Sequence, residues 1–332
     1  MKLLLLFSFT LFAVWGSVHN APSYIFYKKI PLEGDAGWDY LFVDQAQNRL
    51  YVSHGNRVHV IDLASLQPIG TIDSLQGVHG IAVDNDLNEG FISDGRSNSV
   101  RVFDLKSLKS ISNIALSGKN PDAIIYDQYS KKVIAFNAGS NNASVIDPVS
   151  KKETALIELG GAPEFAVTDK KGKVFNNLED KSALVVIDSK TMKVENTYSL
   201  SPCNGPTGLA ADFTNKRLFT VCRENKGMSV VNMDDGKVIA TLPIGAGVDG
   251  VAFDPSSKLI FSSNGEGTVT IIKEENPNKY SEVQTLPTQP RGRTLALDPK
   301  THNLFVSVAE FDTQTRKAKP GTFAVLVYKL QQ

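Results

Sequence analysis

The chain has 332 residues, and its 35 Lys and Arg balance 35 Asp and Glu. That neutrality excludes the basic excess on which nucleic-acid binders rely, so nucleic acid is not an expected partner. No stretch beyond the N-terminus is long and apolar enough to span a bilayer, which excludes an integral membrane protein of the helical kind.

Met1 and Lys2 lead into a mostly apolar run from Leu3 to Trp15. The run is too short to cross a membrane but fits the h-region of a signal peptide. Small residues follow at Gly16, Ser17 and Ala21, which places cleavage between Gly16 and Ala21. Residues 1–21 are therefore predicted as signal peptide and 22–332 as the mature protein. The first cysteine is Cys203, so no acylation site lies near the cleavage point. The expected product is soluble, monomeric, and periplasmic or secreted.

Next comes a strand, Tyr24 to Ile30, without a partner in its own neighbourhood, and then seven copies of a short motif. The copies are GWDYLFVD, GVHGIAVD, NPDAIIYD, APEFAVTD, GPTGLAAD, GVDGVAFD and RGRTLALD. Their third positions are Asp39, His79, Asp122, Glu164, Thr207, Asp249 and Arg293, spaced 40, 43, 42, 43, 42 and 44 residues apart. A period of about 40–45 residues is that of a four-stranded propeller blade.

The second copy shows the pattern within a blade. An inner strand near Ile81–Asp84 is followed by Gly90–Ser93, by a third strand through Val100 and Val102, and by a fourth near Ser110–Ala115. Alternating β-branched residues bounded by Asp, Asn, Gly and Ser carry the strand-and-turn signature. The seventh copy ends on its third strand, Thr322 to Leu330. Tyr24–Ile30 is then predicted to complete the last blade and remove the exposed edge of an open array. The predicted fold is an all-β, seven-bladed propeller.

The stretches RLYVSHGNRVHVIDL, SVRVFDLKSL, ALVVIDSKTMKV and MSVVNMDDGKVIATLPIG resemble the YVTN-type repeat of YncE-like propellers. The resemblance runs from about Tyr24 to Leu330. It implies an exported seven-bladed propeller and leaves the biochemistry open, since one fold hosts many functions.

In such a ring the seven third-position residues converge on one funnel. Trp38 and Tyr40 are predicted to add aromatic surface beside Asp39. A second ring is expected from the loops joining second to third strands: His54, Asp94, Asn137, Glu179, Arg223, Asn264 and Glu310. The Asp that ends each motif (Asp44, Asp84, Asp127, Asp169, Asp212, Asp254, Asp298) is read as a turn cap, as are Asp62, Asp104, Asp147 and Asp188. His59 is assigned to a blade face, and His302 to the face opposite the funnel.

His54 and His79 point to the funnel from adjacent blades. With Asp39 or Asp122 they are candidate ligands for a divalent metal, or an acid/base pair. Cys203 and Cys222 lie near one another in blade five and are expected to form a disulfide, its closed loop worth on the order of 3 kcal/mol. No Gly-x-Ser-x-Gly elbow, phosphate loop or haem-attachment motif is present. The expected function is a binding module for a small molecule or an exported protein or peptide. The alternative is a metal-dependent hydrolase or lyase, lactonase-like, that uses funnel Asp, Glu and His residues.

Overall fold

Strands of six or seven residues dominate the chain, and their turns are fixed by side chains. The computed structural model describes residues 23–35, 37–312 and 314–331. The predicted signal peptide lies outside the described residues. Seven four-stranded antiparallel sheets follow one another as the blades of a propeller. The first blade contains Trp38–Asp44, Arg49–His54, Arg57–Asp62 and Gln67–Ile72, in order from the axis outward.

Closure is as predicted. The last blade contains Leu295–Asp298, Asn303–Val308 and Ala324–Gln331 from the C-terminal end of the chain. Its outer strand is Ser23–Pro31, paired antiparallel with Tyr24 opposite Leu330 and Ile30 opposite Val325. The first and last strands of the described chain thus share one sheet, and no open blade edge is left between them.

Blade taper is written in residue size. An aromatic ring occupies the same position of the second strand in six blades: Tyr51, Phe91, Phe175, Phe219, Phe261 and Phe305, all buried. Opposite four of them the inner strand carries only alanine: Ala82, Ala210, Ala252 and Ala296. Small residues near the axis and large ones farther out fill the wedge between converging blades. Among the described residues, one apolar cluster lies between each pair of neighbouring blades.

The turn aspartates behave as predicted. Asp84 accepts the amides of Asp86 and Leu87, and Asp44, Asp127, Asp169, Asp212, Asp254 and Asp298 each accept an amide two or three residues ahead. Asp62, Asp104, Asp147 and Asp188 do the same after the third strands. Cys203 and Cys222 form a disulfide with Cα atoms 5.3 Å apart. It ties the approach to the fifth inner strand to the end of its neighbour. Among the described residues, no helix is long and apolar enough to cross a membrane.

Candidate functional site

A bulge sets up the site. In six blades the register between inner and second strand shifts at the third motif residue, for example between Trp38 and Leu41 and between Val78 and Ile81. A bulge turns a side chain out of the strand's alternation and leaves its peptide groups outside the ladder. Here the neighbouring blade supplies partners for several carbonyls of the third motif positions, bulged or not. Ser93 Oγ donates to the carbonyl of Asp122 at 2.5 Å, Asn177 Nδ2 to Thr207 at 2.8 Å, and Ser263 Oγ to Arg293 at 2.5 Å. Thr294 Oγ1 donates to Asp39 at 2.8 Å and completes the link from blade seven to blade one. These Ser, Asn and Thr residues position the ring, and sequence reading missed them. For Ser93, Asn177 and Ser263 the signal was a polar residue recurring just before the end of the second strand; Thr294 instead precedes the last inner strand.

The ring itself is acidic. His79 Nδ1 lies 2.6 Å from Asp39 Oδ2 and 3.5 Å from Asp122 Oδ1. Asp249 is held by two arginines, Arg223 and Arg293, the latter at 2.9 Å, and Arg223 also reaches Glu179 at 2.8 Å. Tyr40 donates a long, 3.5 Å hydrogen bond to Glu164 Oε2 and packs edge-on against Phe165, with ring centroids 5.2 Å apart. Blade one therefore meets blade four across the axis. Beyond this aromatic pair the channel opens into a cavity of about 770 Å³, lined by Tyr40, Phe165, Val43, Val83, Tyr126 and Lys170.

Crowding of carboxyl groups perturbs their protonation. Burial, together with the charges of Asp39 and Asp249, pushes Asp122 up to about 7 against the pull of His79. Burial, with Asp122 and Asp249, pushes Glu164 up to about 9. Asp249 is raised by burial in spite of its two arginines. Burial opposes the charge on His79, but the Asp39 bond and the Asp122 field outweigh it and raise its pKa. Burial and the same carboxylates hold the Tyr40 phenol well above its usual range. The site thus holds more acid than its own cations neutralise.

Several predicted site residues lie elsewhere. His54, Asn137 and Asn264 are buried at the last position of their second strands, paired opposite the first residue of the inner strand. Asn137 donates to Asn142 and Ser144, and Asn264 to Thr268 and Thr270. Asp94, at the same position, caps the amides of Gln76 and Gly77. The funnel is reached one residue later, because consecutive strand residues face opposite sides. Glu179 and Arg223 occupy that later position, where the other blades carry only Gly or Ala. Glycine before the motif was the available signal: a Cβ at Gly118 would sit 2.1 Å from Asn137 Nδ2, and one at Gly34 2.8 Å from the His54 ring.

His54 is accordingly corrected as a metal candidate. Its ring stacks on Phe323 at 3.8 Å, and its Nδ1 lies 3.2 Å from His59 Nε2, inside the seam between blades seven and one. His59 is a blade-face residue, as expected, and is buried in the same seam. Trp38 packs on Phe311 and Phe323 in the same seam instead of lining the ring. Glu310 is half exposed and pairs with Lys319 at 3.7 Å. Thr207 holds its ring position, fully buried, with its hydroxyl unpartnered. His302 sits away from the ring and meets Asp254 at 2.6 Å.

Comparison with known proteins places the fold. No protein-family model matches the chain. Antigen Lp49 of Leptospira interrogans is 25% identical over 183 residues, which is 53% of this chain and 40% of that protein. Less than half of that relative's length is therefore matched. The solved structure of hydrazine synthase from Kuenenia stuttgartiensis superposes with a TM-score of 0.69 at 17% identity, covering 88% of this chain and 96% of that one. This likeness extends to the propeller fold alone.

Proposed function

We propose that the protein is an exported binding module whose acidic ring holds a small molecule, or the tip of an exported peptide, by a positively charged group. The observation that carries this reading is the surplus of carboxyl groups: among the described residues, Asp39, Asp122, Glu164, Glu179 and Asp249 face the cations Arg223, Arg293 and His79. Burial first, and then repulsion between carboxylates, raises Asp122 and Glu164, and a ligand that brings positive charge relieves the repulsion. The Tyr40–Phe165 pair gives the ring an apolar floor against which a ligand's carbon skeleton packs. Export is supported by the disulfide, which persists in oxidising compartments, and by the signal-like N-terminus. The YncE-like repeat sequences agree with that assignment.

The test is calorimetric titration with spermidine and agmatine in two buffers of different ionisation enthalpy. Saturable binding is expected to release protons, because a cation ionises carboxyl groups that are protonated at neutral pH. Glu164→Gln is expected to weaken binding about tenfold, or 1.4 kcal/mol, and to reduce the proton release. Absence of binding by both amines at low salt overturns the reading.

A second, catalytic reading is favoured by one contact. Asp39 orients the His79 imidazole at 2.6 Å, the arrangement of a general base held by a carboxylate. Asp122, with its pKa near neutrality, has the proton affinity of a general acid. On this reading His79→Ala abolishes hydrolysis of a lactone or ester without altering the melting temperature. A screen of both substrate classes with no turnover removes it.

A further inference from the structure

We propose that Asp39, His79 and Asp122 form a binding site for one divalent transition-metal ion. The inference rests on the ring's role as a cation site and specifies the cation. One ligand atom from each residue, an imidazole nitrogen and two carboxylate oxygens, lies within 4.8 Å of the other two. The three come from the bulged positions of three consecutive inner strands, so the scaffold and not a loop fixes their spacing.

A second observation concerns one of these carboxylates. Asp122 Oδ1 is buried and makes no hydrogen bond, its contact with His79 Nδ1 being the 3.5 Å ion pair. Leaving a buried carboxylate oxygen without a hydrogen bond is costly, and an ion bound beside His79 supplies the missing partner.

Ligand type selects the ion. Imidazole beside two carboxylates suits zinc, manganese or iron, whereas calcium takes six to eight oxygens and gains little from nitrogen. Three protein ligands leave coordination positions open toward the funnel. Binding replaces the proton shared between His79 Nδ1 and its carboxylates, and that proton leaves to solvent. His302, which meets Asp254 at 2.6 Å away from the ring, has one carboxylate partner among the described residues and serves as the control.

The experiment titrates the chelator-treated full chain with ZnCl₂, MnCl₂ and CaCl₂ by calorimetry, and with CoCl₂ by its visible absorption. One zinc or manganese ion per chain is expected, bound at least tenfold more tightly than calcium. Asp39→Asn and Asp122→Asn are expected to weaken binding more than tenfold, and His79→Ala to remove the cobalt band, all at unchanged melting temperature. His302→Ala is expected to bind as the parent does. The proposal is overturned if no ion saturates, or if folded Asp39→Asn and Asp122→Asn variants bind as tightly as the parent. Spermidine binding without metal binding would refute the metal site while leaving the cation-binding reading intact, and loss of both would remove both.

Discussion

Two regions near the same mouth of the propeller each gather imidazole groups, and they do opposite things with them. In the seam between blades seven and one, His54 and His59 stand 3.2 Å apart under Phe323, and burial together with the neighbouring His54 and Arg57 pushes His59 down to about 4. On the ring, His79 faces two carboxylates and is raised. In the first, His59 is held neutral within a packed seam, and the second belongs to a charged cluster. Burial disfavours charge at both, so the neighbours decide: a second imidazole and an arginine in the seam, carboxylates on the ring.

That contrast is sharpest in stability. Phe323→Ala removes the ring stacked on His54 and is expected to cost about 3–5 kcal/mol, read as a lowered denaturation midpoint. Spermidine affinity of the folded fraction should not change. A loss of affinity in a folded Phe323→Ala protein would mean that seam and ring are one unit.

Glu164 is expected to show the next largest effect, and it has the opposite sign. Its folded pKa, near 9, lies above its ordinary value of 4.5. The folded state therefore holds the proton more tightly, and stability is lost as pH rises between those values. Glu164→Gln removes that loss, so its melting temperature should exceed the parent's at pH 8 and match it near pH 4.5. Equal curves at both pH values would show that the acid is not strained.

His59 gives the mirror case with a smaller range. Its folded pKa, near 4, lies below its ordinary 6.5, so its contribution is present above 6.5 and lost as pH falls toward 4. His59→Gln should flatten the melting temperature across that window. The smallest expected stability change is Ser93→Ala, about 1–2 kcal/mol for the hydrogen bonds that Ser93 Oγ donates to the Asp122 carbonyl and accepts from the Gly80 amide. It should nonetheless weaken cation binding, because it frees the bulge that aims Asp122.

The comparison also marks what the sequence made legible. The seven motifs, their caps, the closing strand and the disulfide could be read because each rests on local chemistry repeated at a fixed period. The ring residues Asp39, His79, Asp122, Glu164 and Asp249 could be read for the same reason. The second ring could be read only at Glu179 and Arg223. His54, Asn137 and Asn264 fall one residue short of Glu179 and Arg223, and a single step in a strand reverses the face. Strand boundaries set that step, and periodicity fixes them only loosely. The contact from Tyr40 to Glu164 joins blades one and four, and no local pattern reports a meeting across the axis.

The most direct test follows the imidazole C2 proton resonances of the full chain by NMR during titration with spermidine. The account predicts that His79 shifts with saturation while His54 and His59 stay in place. Movement of the His54 and His59 resonances with none at His79 would contradict it and place the ligand site in the seam.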